Sequence, residues 1–431
     1  MVANPAKGSK VYTVQPGSRS GSVFVPSSKS QLHRLLICAA LGETPVKIAY
    51  RGLSEDIAAT ARCLNALGAK IEAAEEGGQS VLHVSPLDRS GSPAGTELDC
   101  GESGSTLRFL LPIAGMLGAD CTFRMRGRLS KRPLADYGEQ LVSHGMILQQ
   151  DGELLKVSGR LRSGDYVLPG NISSQYMSGL LMAFGALQGQ SRLQVVGTPE
   201  STPYIDMTEQ VLQQSGIAFD RNGLQWTVNG GQRYALPESL QAEGDYSSAT
   251  FFLCMGAFSE QGILVKGLDP ASVQGDKAVL EVLERFGARV SRTKEGILVR
   301  KGALKGTQID ASQIPDAVPA LSAVGAFSDG TTRVVNAARL RLKESDRIRS
   351  TSAMLRALGA ETEEFADGMT IQGQKRLKGG TVDSFGDHRI AMAAAAAACL
   401  CEENVTITQP DCVAKSYPAF WEDLEQLLFE E

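Results

Sequence analysis

Apolar runs rich in alanine and leucine recur six times along the chain, each opened by a short polar cluster. The copies return about every 70 residues, the period of a large repeated supersecondary unit. The opening clusters are Ser28-Lys29-Ser30, Glu102-Ser103-Gly104-Ser105, Ser173-Ser174-Gln175, Asp245-Tyr246-Ser247-Ser248, Pro315-Asp316 and Asp387-His388-Arg389. Such side chains accept hydrogen bonds from the unpaired N–H groups of a first helical turn, so each cluster predicts a helix start.

A second helix in each copy ends in Leu-x-x-x-Gly, at Leu64 to Gly68, Leu141 to Gly145, Leu212 to Gly216, Leu283 to Gly287 and Leu355 to Gly359. These glycines read as left-handed C-caps. After each comes a pair of short alternating runs about a tight turn: Glu76-Gly77-Gly78, Asp151-Gly152, Asn222-Gly223, Glu295-Gly296 and Asp367-Gly368. Alternation on both sides of such a turn predicts a hairpin. One unit is therefore helix, strand, helix and two strands.

The sixth unit breaks off in its second helix, read as Trp421 to Phe429, before any hairpin. The run Lys10-Val11-Tyr12-Thr13-Val14 at the other end has strand character and no local partner, and it is expected to complete that unit. The chain then crosses between its halves near Val25-Pro26 and again near Glu243-Gly244. The expected organisation is α/β (α+β) in two similar lobes of three units each, residues 28-242 and residues 1-27 plus 243-431. A ligand cleft is expected between the lobes.

Length agrees with two domains of roughly 200 residues, near the size at which single cores split. With 43 Lys and Arg against 48 Asp and Glu, the net charge is −5 and the cations are dispersed, which disfavours a sequence-independent grip on nucleic acid. The eight cysteines lack Cys-x-x-Cys or paired His and Cys spacing, so neither a structural zinc site nor a disulfide scaffold is indicated. No metal is expected, and a reduced cytoplasmic setting fits best. Met1 to Lys10 lacks the apolar stretch of a signal peptide, and the longest apolar run, Ile390 to Leu400, is too short to span a bilayer. The expected form is a soluble monomer without membrane or nucleic-acid partners.

Helix N-termini present unpaired N–H groups at the positive end of the helix dipole and so favour anions. A lone serine there is usually only a cap. Several clusters, however, add charges that capping does not need: Lys29 with Arg34, Asp316, and His388-Arg389. The segment Arg339 to Arg347 holds four cations and two carboxylates, and alone it would read as a solvated helix with i,i+4 neighbours such as Lys343 and Arg347. A second cationic stretch, Arg124 to Pro133, and a lysine at Ala414-Lys415-Ser416 accompany it. Arginine suits bidentate carboxylate or phosphate binding, so the inventory points to a small substrate with several negative charges.

Ser28-Lys29-Ser30 with Arg34, Ser173-Ser174-Gln175, Thr202 to Asp206, Ile314 to Ala317, Lys343-Glu344-Ser345-Asp346-Arg347, Asp387 to Met392 and Ala414 to Pro418 resemble, in order and nearly end to end, the motif set of the EPSP synthase family of enolpyruvyl transferases. The resemblance implies an inside-out α/β barrel in each lobe. It implies transfer of the enolpyruvyl group of phosphoenolpyruvate to the 5-hydroxyl of shikimate 3-phosphate, with release of phosphate through a tetrahedral intermediate and no cofactor. It places Lys29, Ser30, Arg34, Ser173, Ser174, Gln175, Ser201, Asp316 and Lys343 on shikimate 3-phosphate, with Tyr204 beside the ring. Lys29, Gly104, Arg128, Gln175, Glu344, Arg347, His388, Arg389 and Lys415 are placed on phosphoenolpyruvate. The implied proton carriers are Asp316 as base and Glu344 as acid, with Lys29 assisting the departing phosphate.

His388 reads as a positioning residue, and His33, His83 and His144 as structural or exposed. Departures from the family pattern are Glu102-Ser103-Gly104-Ser105 in place of Asn-Ala-Gly-Thr, Phe109 in place of a proline, Ser27 in place of a glycine, and Arg339 in place of an asparagine. Arg339 is left out of the expected site. Two other readings are weighed. UDP-N-acetylglucosamine enolpyruvyl transferase shares fold and donor, but that family has an asparagine after the lysine and a cysteine in the loop before Arg-Pro. This chain has Ser30 and no cysteine between Gly127 and Pro133. A non-catalytic six-repeat clamp on nucleic acid would need basic stripes, which the acidic balance opposes.

Overall fold

The computed structural model describes residues 10–88, 95–132 and 134–430. Met1 to Ser9 of the leader reading and Pro133 of the second cationic stretch lie outside the described residues. The chain is mixed α/β and divides into two compact units, one from Lys29 to Ala242 and the other from Glu243 onward together with the segment up to Ser28.

The sheets within the units share one plan. Thr96–Gly101 runs parallel to Cys121–Met125, which pairs antiparallel with Leu154–Gly159, itself the second arm of a hairpin with Met146–Asp151. The same parallel pair followed by a hairpin recurs with Asp165–Pro169, Gln190–Val196, Asp220–Asn222 and Gln225–Asn229. In the other unit it recurs with Gln308–Asp310, Thr331–Val335, Glu361–Phe365 and Gly368–Gln372. The hairpins fall at the five glycine-bearing turns, and Gly68, Gly145, Gly216, Gly287 and Gly359 all have φ between 74° and 106°. A left-handed residue there lets the helix stop, and the next strand starts within two residues of Gly68, Gly145, Gly287 and Gly359 and four residues after Gly216.

Each unit takes strands from distant parts of the chain. Val46–Tyr50 needs a parallel neighbour and receives Ser239–Gln241. Ile263–Lys266 receives Arg19–Phe24, and Val405–Thr408 lies between Gly380–Val382 and Val11–Val14. The final helix is shorter than the hydrophobic pattern indicates: it spans Phe420–Glu425, and Leu428–Phe429 leaves it to pair with Arg19 and Ser20. Pairing on the open edge of Arg19–Phe24 satisfies backbone groups that one more helical turn would leave facing water.

Helices fill the middle. Tyr246–Gly256, Val318–Ala326 and His388–Ala397 are buried at every position and pack on one another. In the other unit Lys29–Ala40, Gly104–Leu117 and Ser174–Phe184 are buried almost throughout. A helix apolar on all faces has nowhere else to lie, so the opening clusters are held by the most rigid elements of each unit. No helix among the described residues is long and apolar enough to cross a membrane.

Candidate active site

In the Lys29–Ala242 unit, Lys29 begins its helix and its Nζ lies 2.7 Å from Asp56 Oδ2 at the start of Glu55–Ala66. Both side chains are largely buried, at 15% and 7% exposure, so the ammonium is aimed rather than free in solvent. Arg34 is fully enclosed. Its guanidinium donates to Thr208 Oγ1 (2.7 Å), Ser178 Oγ (3.1 Å) and the carbonyl oxygens of Ser30 and Tyr204. Burial lowers its pKa to about 10, with Tyr204 opposing, and it remains a cation at neutral pH. Arg34 thus clamps the backbone beside two expected acceptor-binding residues. Ser201 ends its loop at φ 56°, a left-handed conformation that a non-glycine residue adopts at a cost of about 1–2 kcal/mol, and strain of this kind concentrates at functional sites.

The second opening cluster and its neighbours form a tight polar set. Ser103 caps Gly104–Leu117 by accepting from Thr106 N–H, and Ser173 caps Ser174–Phe184 by accepting from Gln175 N–H. The Gln175 amide joins the two helix starts: its Oε1 accepts from Arg108 (2.6 Å) and its Nε2 donates to Ser105 Oγ (2.8 Å). A Cβ added at Gly104 would lie 3.0 Å from Arg132 Nη1 and 3.2 Å from Arg108 Nη1, so the glycine makes room for two guanidinium groups. Arg128, the expected donor-site arginine, is exposed on the preceding turn, and Arg132 takes the place beside Gly104. Glu102 turns its carboxylate onto Gly127, whose φ of 56° and lack of a side chain permit the approach. Phe109 is buried edge-on to His33, with ring centroids 6.0 Å apart, and lies 4.9 Å from the Arg34 Cζ. A cation–π contact there adds to the Arg34 clamp.

The other unit gathers the carboxylates. Arg339 to Arg347 is not one surface helix: a short 3-10 turn covers Ala338–Leu342, Lys343 is extended, and the α-helix begins at Arg347 with Asp346 as its cap. The break points Lys343 and Glu344 away from the helical surface. Arg347, 1% exposed, donates to Asp316 Oδ1 (2.6 Å), Glu344 Oε2 (2.6 Å) and both oxygens of Asp387 (2.8 and 3.2 Å). Lys343 Nζ and Arg389 Nη2 approach Asp316 at 3.4 and 3.7 Å. Asp387, fully buried, also caps the helix His388–Ala397 and accepts from Ser345 Oγ (2.9 Å). Arg389 Nη1 donates to Ser247 O (3.0 Å), which ties in a further opening cluster. His388 is buried with Nδ1 3.8 Å from Asp387, and Lys415 is buried at the end of a 3-10 turn over Pro410–Lys415.

Three cations therefore face three carboxylates. Burial pushes the Asp316 carboxyl up, but Lys343, Arg389 and Arg347 together outweigh it and hold the group well below the usual range, so Asp316 is ionised. Burial lowers Lys343, with Asp316 opposing. Arg347 is raised, its desolvation outweighed by Asp387, Glu344 and Asp316. The arrangement offers an ionised proton acceptor, a second carboxylate on the same arginine, and cations for anionic groups. Asp56, Arg108, Arg132 and Asp387 also join these sets, beyond the residues expected from the sequence. The N-cap pattern marked the position of Asp387 but not its second task. A groove lined by Met116, Leu117, Arg160, Arg162 and Leu187 sits at the C-terminal ends of the same buried helices, away from Gly104 and Ser173.

The profile of the family described as EPSP synthase (3-phosphoshikimate 1-carboxyvinyltransferase) matches residues 14–424. A curated relative from Clostridium perfringens named 3-phosphoshikimate 1-carboxyvinyltransferase is 40% identical over 428 residues, covering 97% of this chain and 98% of its own. One of the same name from Clostridium acetobutylicum is 41% identical over 421 residues, covering 96% of each. A solved EPSP synthase from Acinetobacter baumannii matches with a TM-score of 0.78 at 26% identity, over 97% of this chain and 99% of that one. The enolpyruvyl transferase NikO from Streptomyces tendae shares the fold, with a TM-score of 0.75 at 18% identity, over 98% of this chain and 99% of that one.

Proposed function

The chain belongs to the EPSP synthase family, and from that premise we infer that it transfers the enolpyruvyl group of phosphoenolpyruvate to the 5-hydroxyl of shikimate 3-phosphate, a step toward aromatic amino acids. The observation that carries the assignment of roles is the pair of carboxylates on one buried arginine, Asp316 and Glu344 on Arg347. Addition needs a proton taken from the attacking hydroxyl and one given to the methylene carbon of the donor. Elimination breaks the carbon–oxygen bond to phosphate and returns a proton from the new methyl group, restoring the double bond.

Asp316, ionised among its cations, takes the hydroxyl proton, and Glu344, on the same arginine, carries a proton at this step as the carboxylic acid and gives it to carbon. So strongly stabilised a carboxylate is a weak base. Anionic substrates bound by Lys343 and Arg389 offset those cations and raise its basicity at the moment it is needed. Lys29, aimed by Asp56, meets the charge of the leaving phosphate. Ser30, Ser173, Ser174, Ser201, Tyr204 and Lys343 hold shikimate 3-phosphate. Gly104, Gln175, Arg389 and Lys415 hold phosphoenolpyruvate, with Arg108 and Arg132 in the place expected of Arg128. Arg34, Arg347 and His388 act chiefly by positioning. The two units are read as lobes of three repeats, residues 28-242 and residues 1-27 plus 243-431, each supplying its own set of contacts, in a cytoplasmic monomer.

Steady-state kinetics of Asp316→Asn, Glu344→Gln and Lys29→Met test these roles. Each is expected to lose about two to four orders of magnitude in kcat, with KM changed far less for the two carboxamides. A carboxamide variant with near-parental turnover would remove that residue from proton transfer.

A further inference from the structure

We propose that His33, Thr60 and Thr106 form a positioning relay that locks the phosphoenolpyruvate loop Glu102-Ser103-Gly104-Ser105 to the helix carrying Lys29. The proposal rests on the functional reading above for the identity of the loop's ligand. His33 lies one turn after Lys29 on the inner face of Lys29–Ala40 and is fully buried. Its Nδ1 is 2.7 Å from Thr60 Oγ1, Thr60 Oγ1 is 2.7 Å from Thr106 Oγ1, and Thr106 Oγ1 donates to Ser103 Oγ at 2.7 Å. Thr106 also reaches the carbonyl oxygen of Asp56 at 3.3 Å, and the carboxylate of that same aspartate holds Lys29. Three helix starts are thereby joined through hydroxyl groups that are all buried.

The chain of bonds has one direction. Each hydroxyl has a single proton, and Thr106 spends its own on Ser103 or Asp56, so Thr60 donates to Thr106 and Nδ1–H of His33 donates to Thr60. Among the described residues His33 Nε2 has no hydrogen-bond partner, which agrees, because a buried unpaired acceptor costs less than an orphaned N–H. Burial lowers the His33 pKa to about 3, with Asp56 opposing and Lys29 and Arg34 adding to the effect, so the ring stays neutral and the direction is fixed across the working pH range. Thr106 bonds Ser103 by both N–H and O–H, so the first turn of Gly104–Leu117 cannot rotate without breaking the relay. That turn carries Gly104 and Ser105, and Ser105 accepts from Gln175.

The test pairs Thr60→Val, which keeps the shape and removes both bonds, with Thr60→Ser, which keeps the hydroxyl. Thr60→Val is expected to raise KM for phosphoenolpyruvate roughly tenfold, the order of effect of leaving buried hydrogen-bonding groups unpaired, while KM for shikimate 3-phosphate stays within about twofold. Thr60→Ser is expected to restore the donor KM. Unchanged donor KM in Thr60→Val, or equal rises for both substrates, would overturn the relay. Long-range 1H–15N spectra of the unmodified protein give a readout independent of turnover. The His33 ring is expected as the neutral Nδ1–H tautomer, and an Nε2–H tautomer would contradict the relay even if the enzymatic reading stood.

Discussion

Once Asp316, Glu344 and Asp387 are served, Arg347 keeps a single guanidinium hydrogen. An incoming anion must use that hydrogen or displace a carboxylate, so Arg347 works mainly as the post on which the catalytic carboxylates are hung. Asp387→Asn removes the innermost of its partners and leaves a buried cation under-compensated. Losing one side of such a pair costs about 3–5 kcal/mol, which urea unfolding of the variant is expected to read. Asp316 makes a pH prediction. Its folded-state pKa is depressed, so its stabilising effect is full above the unfolded carboxylate value near 4 and is lost as pH falls through the folded value. The stability gap between the parent and Asp316→Asn should therefore be constant from about pH 5 to 8 and narrow below about pH 4. A gap that does not change down to pH 2 would contradict the ionised assignment.

Local chemistry made most of the elements legible. Ser103, Ser173, Asp245 and Asp387 cap the helices that their clusters announce, because capping depends on a residue and its next three neighbours. Pro315-Asp316 predicts a helix start, but Asp316 does not cap; its carboxylate is taken by Arg347 instead. The strands Arg19–Phe24 and Ser239–Gln241 carry little sequence signal because serines and Gly21 dilute the alternation and their partners are far along the chain. Arg128 rather than Arg132 is the residue expected from the sequence, since cations crowd that stretch and spacing alone does not say which one faces Gly104. Asp56 and Thr60 reach Lys29 and His33 across 27 residues, beyond any helical period. The cap glycines allow a graded test. Gly68→Ala meets open space, so its cost is the left-handed backbone alone, about 1–2 kcal/mol. Gly287→Ala would also drive its Cβ into the carbonyl oxygen of Ala303 and should cost clearly more. Thermal unfolding of the two variants separates the terms, and equal losses would mean that sterics at Gly287 relax freely.

At the scale of the whole molecule, the repeat explains how one chain offers so many polar helix starts. Buried helices fix their own N-termini, and the charged residues are added where those N-termini already favour anions. Lys29 belongs to one unit and Asp316 to the other. The most direct measurement is phosphate release from phosphoenolpyruvate by the unmodified protein with shikimate 3-phosphate, with UDP-N-acetylglucosamine, and with no acceptor. The assigned transfer requires sustained release, matched by formation of 5-enolpyruvylshikimate 3-phosphate, with the first acceptor alone. Release that depends on UDP-N-acetylglucosamine, or that proceeds equally without an acceptor, would contradict it.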